Sequence, residues 1–73
     1  MEVQSKSVEV TVNGERKQVP SGLSVAALLD SLKVASDRVA VELDRSIVRK
    51  RDWCETFVQN GSKIEIVEFV GGG

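Results

Sequence analysis

The chain has 73 residues, of which 41% are apolar and 29% charged, and a net charge of −1. That is one domain near the lower limit for a self-sufficient core. Ten basic against eleven acidic groups leave no basic excess for nucleic acid and no reason to invoke a membrane surface. No apolar run approaches a membrane-spanning length, and the start MEVQSKSVEV lacks the basic-then-apolar layout of a signal peptide. A lone cysteine, Cys54, permits no internal disulfide, and the expected compartment is the cytoplasm.

Residues Ser7 to Val12 alternate, with Val8, Val10 and Val12 on one side, which predicts a half-buried strand. Asn13-Gly14 is a strong hairpin signal, because both residues tolerate positive φ. Glu15 to Val19 is the return strand, polar as an edge strand can be, and Pro20 ends it. Met1 to Lys6 reads as a loose start.

Ser24 suits a helix N-cap, with Leu23 and Leu28 at the two positions of a hydrophobic staple. Val25, Leu28, Leu29 and Leu32 then form the apolar stripe of a helix ending near Lys33. Val39, Val41 and Leu43 alternate, and Asp44-Arg45 turns the chain into a short strand, Ser46 to Val48. Asp52 to Phe57 reads as a helical turn capped by Asp52, with Trp53 anchored in the core. Asn60-Gly61 is a second turn, and Lys63 to Val70 is the last and most apolar strand.

That order places the last strand in the middle of the sheet, parallel to the first, with the helix across both. The expected fold class is α+β, in the β-grasp or ubiquitin-like arrangement. It has a mixed sheet of four to five strands, one main helix and a flexible C-terminal glycine tail. The whole chain, 1–73, forms a single domain in this reading.

There is no His and no Tyr, so neither a Ser-His-Asp nor a Cys-His site can be built. One cysteine with carboxylates is a poor zinc set, and no phosphate-binding glycine loop is present. The chain is not expected to be an enzyme, nor to bind a metal or cofactor of its own. Its chemistry is expected at the end. If Ile64 and Ile66 face the helix, then Val67 and Phe69 face outward. With Val70 they make a candidate partner patch beside the glycines. A bulge that flips the phase would instead bury Phe69.

Gly71, Gly72 and Gly73 carry no β-carbons and reach at most about 10 Å when extended. Such a tail threads a slot too narrow for other residues, and its terminal carboxylate is accessible without a side chain. A carboxylate is a poor electrophile. A partner that first makes it an acyl-adenylate with ATP allows a sulfur nucleophile to attack, which leaves a thiocarboxylate on Gly73. The simpler alternative is a terminus without a role.

The segments VAVELDRSIVRKRDW and NGSKIEIVEFVGGG, with the VNGE hairpin and the SVAALLDSL helix, resemble the thiamine-biosynthesis sulfur carrier family, ThiS, from about Val8 to Gly73. The resemblance implies a β-grasp fold and a terminal glycine charged by an adenylating enzyme related to ubiquitin activators. It implies sulfur from a cysteine-derived persulfide, and a thiazole synthase that consumes the thiocarboxylate. By the same resemblance Gly72 and Gly73 are the tail pair and Gly73 the modified residue. The family often has Asp-Gly-Asp where this chain has Asn60-Gly61-Ser62, and Pro where it has Arg49. Neither departure touches the tail. The small subunit of molybdopterin synthase and a ubiquitin-like modifier share this tail chemistry. A non-covalent β-grasp binding module is the alternative from another class.

Arg45, Arg49, Lys50 and Arg51 are read as a solvated turn, or else as a contact with an acidic partner groove. Cys54 is expected to be a small buried or half-buried residue. Asp30, Asp37 and Asp44 are read as caps, turns and solubilising charges.

Overall fold

A computed structural model describes residues 6–69 of the chain. The expected looseness of Met1 to Ser5 therefore lies outside the described residues, while the Lys6 carbonyl accepts a hydrogen bond from Ser21 N at 3.1 Å. Strand β1 (Ser7–Val12) turns at Asn13 (φ 51°) and Gly14 (φ 83°) into β2 (Glu15–Pro20). Two successive left-handed residues match the twist of a two-residue hairpin. The antiparallel register runs from Val12↔Glu15 to Ser7↔Pro20. Pro20 closes β2 rather than lying beyond it, which an edge strand permits because no neighbour needs its missing N–H.

Helix α1 (Val25–Ser31) begins as expected, with the Ser24 hydroxyl accepting from Ala27 N at 3.0 Å. Its end comes before Lys33. Lys33 adopts φ 59°, Lys33 N bonds Asp30 O at 3.0 Å, and Val34 N bonds Leu29 O at 3.1 Å. These are the two crossed bonds of a Schellman ending, here built on a lysine in the place glycine usually takes. Val25, Leu28 and Leu29 are buried, and Leu32 packs at the margin.

A 3-10 turn (Ser36–Arg38) leads into β3 (Val39–Leu43), which pairs with β4 (Ser46–Val48) across the turn Asp44-Arg45. Both turn residues are left-handed, at φ 51° and 75°. Asp44 recovers part of that strain: its N donates to Lys63 O at 2.8 Å, and its Oδ1 accepts from Lys63 N at 2.9 Å. A 3-10 helix (Lys50–Glu55) then starts two residues ahead of the expected turn. Asp52 is not its cap. Arg49 occupies the capping position without a side-chain bond, and Asp52 N already bonds Arg49 O at 2.8 Å inside the first turn. Trp53 is buried as expected, and its indole N–H donates to Val48 O at 2.9 Å.

Strand β5 (Lys63–Glu68) lies at the centre of a five-stranded sheet of order β2-β1-β5-β3-β4. It runs parallel to β1 (Thr11↔Lys63, Val12↔Ile64) and antiparallel to β3 (Val39↔Glu68 to Leu43↔Ile64). One core joins Val10, Val12, Val19, Val25, Leu28, Leu29, Val39, Val41, Trp53, Val58 and Ile64. This is the β-grasp arrangement, with α1 covering one face of a mixed sheet. Among the described residues no helix is long and apolar enough to cross a membrane.

Candidate functional site

Side chains alternate along a strand, and paired residues on neighbouring strands share a face. The register therefore sorts the sheet. Ile64 is fully buried and Ile66 half-buried under the helix. Glu65 and Val67 point the other way, with their partners Glu42 and Ala40. Ile47 joins them through its pairing with Glu42. No bulge interrupts β5, because the pairing with β3 is continuous from Ile64 to Glu68.

Val67 is 56% exposed and Phe69 59%. Phe69 lies one residue past the strand, yet its N donates to Arg38 O at 2.8 Å, so its backbone stays tied to the sheet. Both thus occupy the open face, at the end of β5 that leads towards the glycines. Val70, Gly71, Gly72 and Gly73 lie outside the described residues. Ile47, 69% exposed on the same face, is a candidate the sequence did not single out. A three-residue strand has too few positions for alternation to assign a face. Phe57, the remaining exposed large apolar side chain among the described residues, lies elsewhere, in the bridge to Ser24 at the start of α1.

The open face is apolar only in part. Glu42 and Glu65 stand directly opposite each other between Ile47 and Val67. Like charges in that relation repel and favour a cationic or hydrogen-bonding neighbour.

Arg45, Arg49, Lys50 and Arg51 are all exposed. Arg49 and Arg51 line an open groove of about 370 Å³ between β4 and the second 3-10 helix, together with Ile47, Asp52 and Glu55. Arg51 Nε sits 3.8 Å from Asp52 Oδ2 in a pair open to solvent, an arrangement that contributes little to stability. Cys54 is exposed, contrary to expectation. Trp53 takes the inward position of that 3-10 helix, and the next residue is carried round to solvent. Among the described residues no group of three or more His, Cys, Asp or Glu is placed to hold a metal ion.

The end of β5 is braced by side chains as well as strands. Asn13 Oδ1 accepts from Ile66 N at 2.7 Å, and Asn13 Nδ2 donates to Ile66 O at 3.2 Å. At the other end of the same strand pair, Asn60 Oδ1 accepts from Glu9 N at 2.9 Å. Both asparagines read from sequence as turn formers alone.

The profile of the ThiS family matches residues 5–73, a span that includes the glycines. The chain is 41% identical, over 66 residues, to a thiazole synthase of Paramagnetospirillum magneticum; the match takes in 90% of this chain and 20% of that one. It thus spans about a fifth of the length of that relative. The sulfur carrier protein ThiS of Escherichia coli is 26% identical over 66 residues, covering 90% of this chain and 100% of that one. The crystal structure of a thiamine biosynthesis protein (ThiS) from Geobacter metallireducens superposes with a TM-score of 0.81 at 36% identity, covering 90% of this chain and 100% of that one.

Proposed function

This chain belongs to the ThiS family, and from that membership we propose that it is a sulfur carrier of thiamine biosynthesis, loaded at Gly73 by a partner enzyme. The observation that carries the proposal is the family match itself, which runs through the glycines to residue 73.

The chemistry follows from what a bare glycine carboxylate can do. An adenylating enzyme related to ubiquitin activators joins the Gly73 carboxylate to the α-phosphorus of ATP, and pyrophosphate leaves. A cysteine-derived persulfide attacks the activated carbonyl, and AMP leaves. A thiol then attacks the cysteine-side sulfur of the acyl disulfide, forms a new disulfide with it and releases the thiocarboxylate. ATP belongs to the partner, and this chain is a protein co-substrate rather than a catalyst. Gly71 and Gly72 thread the partner's slot, since no β-carbon widens them. Val67, Phe69 and Val70 dock the partner beside that slot. The exposure of Val67 and Phe69 on one face of the sheet supports this part.

A thiazole synthase is the proposed sulfur acceptor. Support comes from the relatives named thiazole synthase, in which a segment like this chain is part of the synthase itself. The ATP and thiols that the loading partner needs are met in the cytoplasm, which is the compartment proposed for the chain.

The test is intact mass after incubation with an adenylating enzyme, ATP and a persulfide donor. The expected gain is one oxygen exchanged for one sulfur, absent when Gly73 is deleted. Addition of thiazole synthase with its other substrates should then return the carboxylate. A chain that gains no sulfur overturns the proposal. Sulfur surrendered to a molybdopterin precursor and not to thiazole synthase moves the chain to that pathway.

A further inference from the structure

We infer that Asn13 is a positioning residue for sulfur loading: its carboxamide stands in for a missing strand residue opposite Ile66 and fixes the line on which β5 leaves the sheet. The inference rests on the carrier function proposed above.

The geometry begins with a shortage. β1 pairs with β5 only through Thr11↔Lys63 and Val12↔Ile64, and Asn13 N closes the ladder on Ile64 O at 2.9 Å. There the chain turns away into β2, because Asn13 and Gly14 are both left-handed. β1 has no further backbone to offer. The next residue of β5 that faces β1 is Ile66, since alternate residues of a strand direct their N–H and C=O to the same neighbour. The Asn13 side chain supplies what is missing. A carboxamide carries one acceptor and a donor in one plane, like a peptide unit, and both atoms engage Ile66, at 2.7 Å to its N and 3.2 Å from its O.

Beyond Ile66 the pairing is one-sided. Val67 and Glu68 pair with Ala40 and Val39 of β3, and Phe69 N reaches Arg38 O. Among the described residues nothing meets Glu68 on the β1 side. Asn13 is therefore the last brace on that side before the two exposed apolar residues and the glycines. With it in place, Val67 and Phe69 meet a partner already held in strand geometry. Without it, that ordering is charged to docking, and pre-organised surfaces bind more tightly for this reason.

Two variants test it. Asn13→Gly keeps the left-handed turn and removes both side-chain bonds. Asn13→Asp keeps the acceptor for Ile66 N, tolerates the same φ and loses the donor. Amide hydrogen exchange on each chain should show Ile66 N–H exchanging on the order of tenfold faster in Asn13→Gly, with Asn13→Asp close to wild type. Val12 and Val41 amides should be unchanged relative to global stability. Loading kinetics, run where all variants are fully folded, should show kcat/KM for sulfur loading lower by on the order of tenfold in Asn13→Gly, through KM, at unchanged kcat. Rescue by Asn13→Asp should be partial.

Equal Ile66 exchange in Asn13→Gly and wild type overturns the brace. Equal acceleration of Val12, Val41 and Ile66 reduces Asn13 to a general stabiliser. Unchanged kcat/KM beside fast Ile66 exchange removes the positioning role. If the wild-type chain takes up no sulfur, the carrier function fails and the positioning role with it, while the brace is still decided by the Ile66 exchange alone.

Discussion

Three side chains show how much rests on single positions in so short a chain. A domain of 73 residues has a total stability of about 4 to 11 kcal/mol by the usual per-residue range. Trp53 is 4% exposed and its indole N–H is bonded to Val48 O. Trp53→Ala should cost about 3 to 5 kcal/mol, a large share of that total, read as a lower midpoint by circular dichroism in a urea titration. Trp53→Phe keeps most of the apolar burial and gives up the indole bond to Val48 O, whose strand pairing with Val41 remains, and should cost about 0.5 to 1.5 kcal/mol. Lys33 points the other way. A side chain in the left-handed region costs roughly 1 to 2 kcal/mol, whereas glycine's extra chain entropy costs roughly 0.5 to 1 kcal/mol. Lys33 is exposed at φ 59°, so Lys33→Gly should raise the urea midpoint, by a net of up to about 1 kcal/mol. A lower midpoint would mean that the Lys33 stem packs on the helix end and contributes more than the strain costs. Cys54 escaped a sequence reading for a related reason. Cysteine is more often buried than not, and nothing local tells which side of a 3-10 turn its neighbour Trp53 will claim.

At the level of elements, legibility followed periodicity. β1, β3 and β5 alternate over five or six residues and were readable with their inward faces, as was the α1 stripe. The helix end near Lys33 was legible to within two residues, although its Schellman turn uses lysine and offers no glycine to mark it. The 3-10 turn Ser36–Arg38 and the early start at Lys50 have no period to detect. Of the candidate site, the outward phase of Val67 and Phe69 was legible in β5 alone. Ile47 was not, because its place depends on register with Glu42 across a turn. The roles of Asn13 and Asn60 were hidden by distance, since Asn13 reaches a partner 53 residues away and Asn60 one 51 residues away. Register also exposes a cost in the sheet. Glu42 and Glu65 face each other directly, and opposing like charges destabilise by a few tenths of a kcal/mol up to about 1. Glu65→Lys should therefore stabilise the free domain by about 0.5 kcal/mol, an effect that shrinks as salt is raised. If the same change slows loading by the adenylating enzyme, the two carboxylates are kept for the partner; if loading is untouched, the repulsion has no such role.

The whole molecule divides into a body that folds and an end where the proposed chemistry lies, and β5 leads from one to the other. It is the last strand in sequence and the central strand in space, flanked by β1 and β3. Its first half, with Ile64 fully buried, holds the core together, whereas its second half shows Val67 and Phe69 to solvent. Burial and exposure are thus separated along a single strand, which is what the proposed docking face requires. Val67→Thr with Phe69→Thr tests that separation, because threonine keeps strand propensity while removing the apolar surface. Both side chains are more than half exposed, so stability should change by less than about 1 kcal/mol. Sulfur loading should nonetheless fall, with KM rising on the order of tenfold as the docking surface is lost. Ile64→Ala should do the reverse: a cost of about 2 to 5 kcal/mol in stability, with normal loading in whatever fraction remains folded. Should the double threonine variant unfold while loading normally where folded, Val67 and Phe69 would be part of the core's support, and the docking face would have to be sought around Ile47 instead.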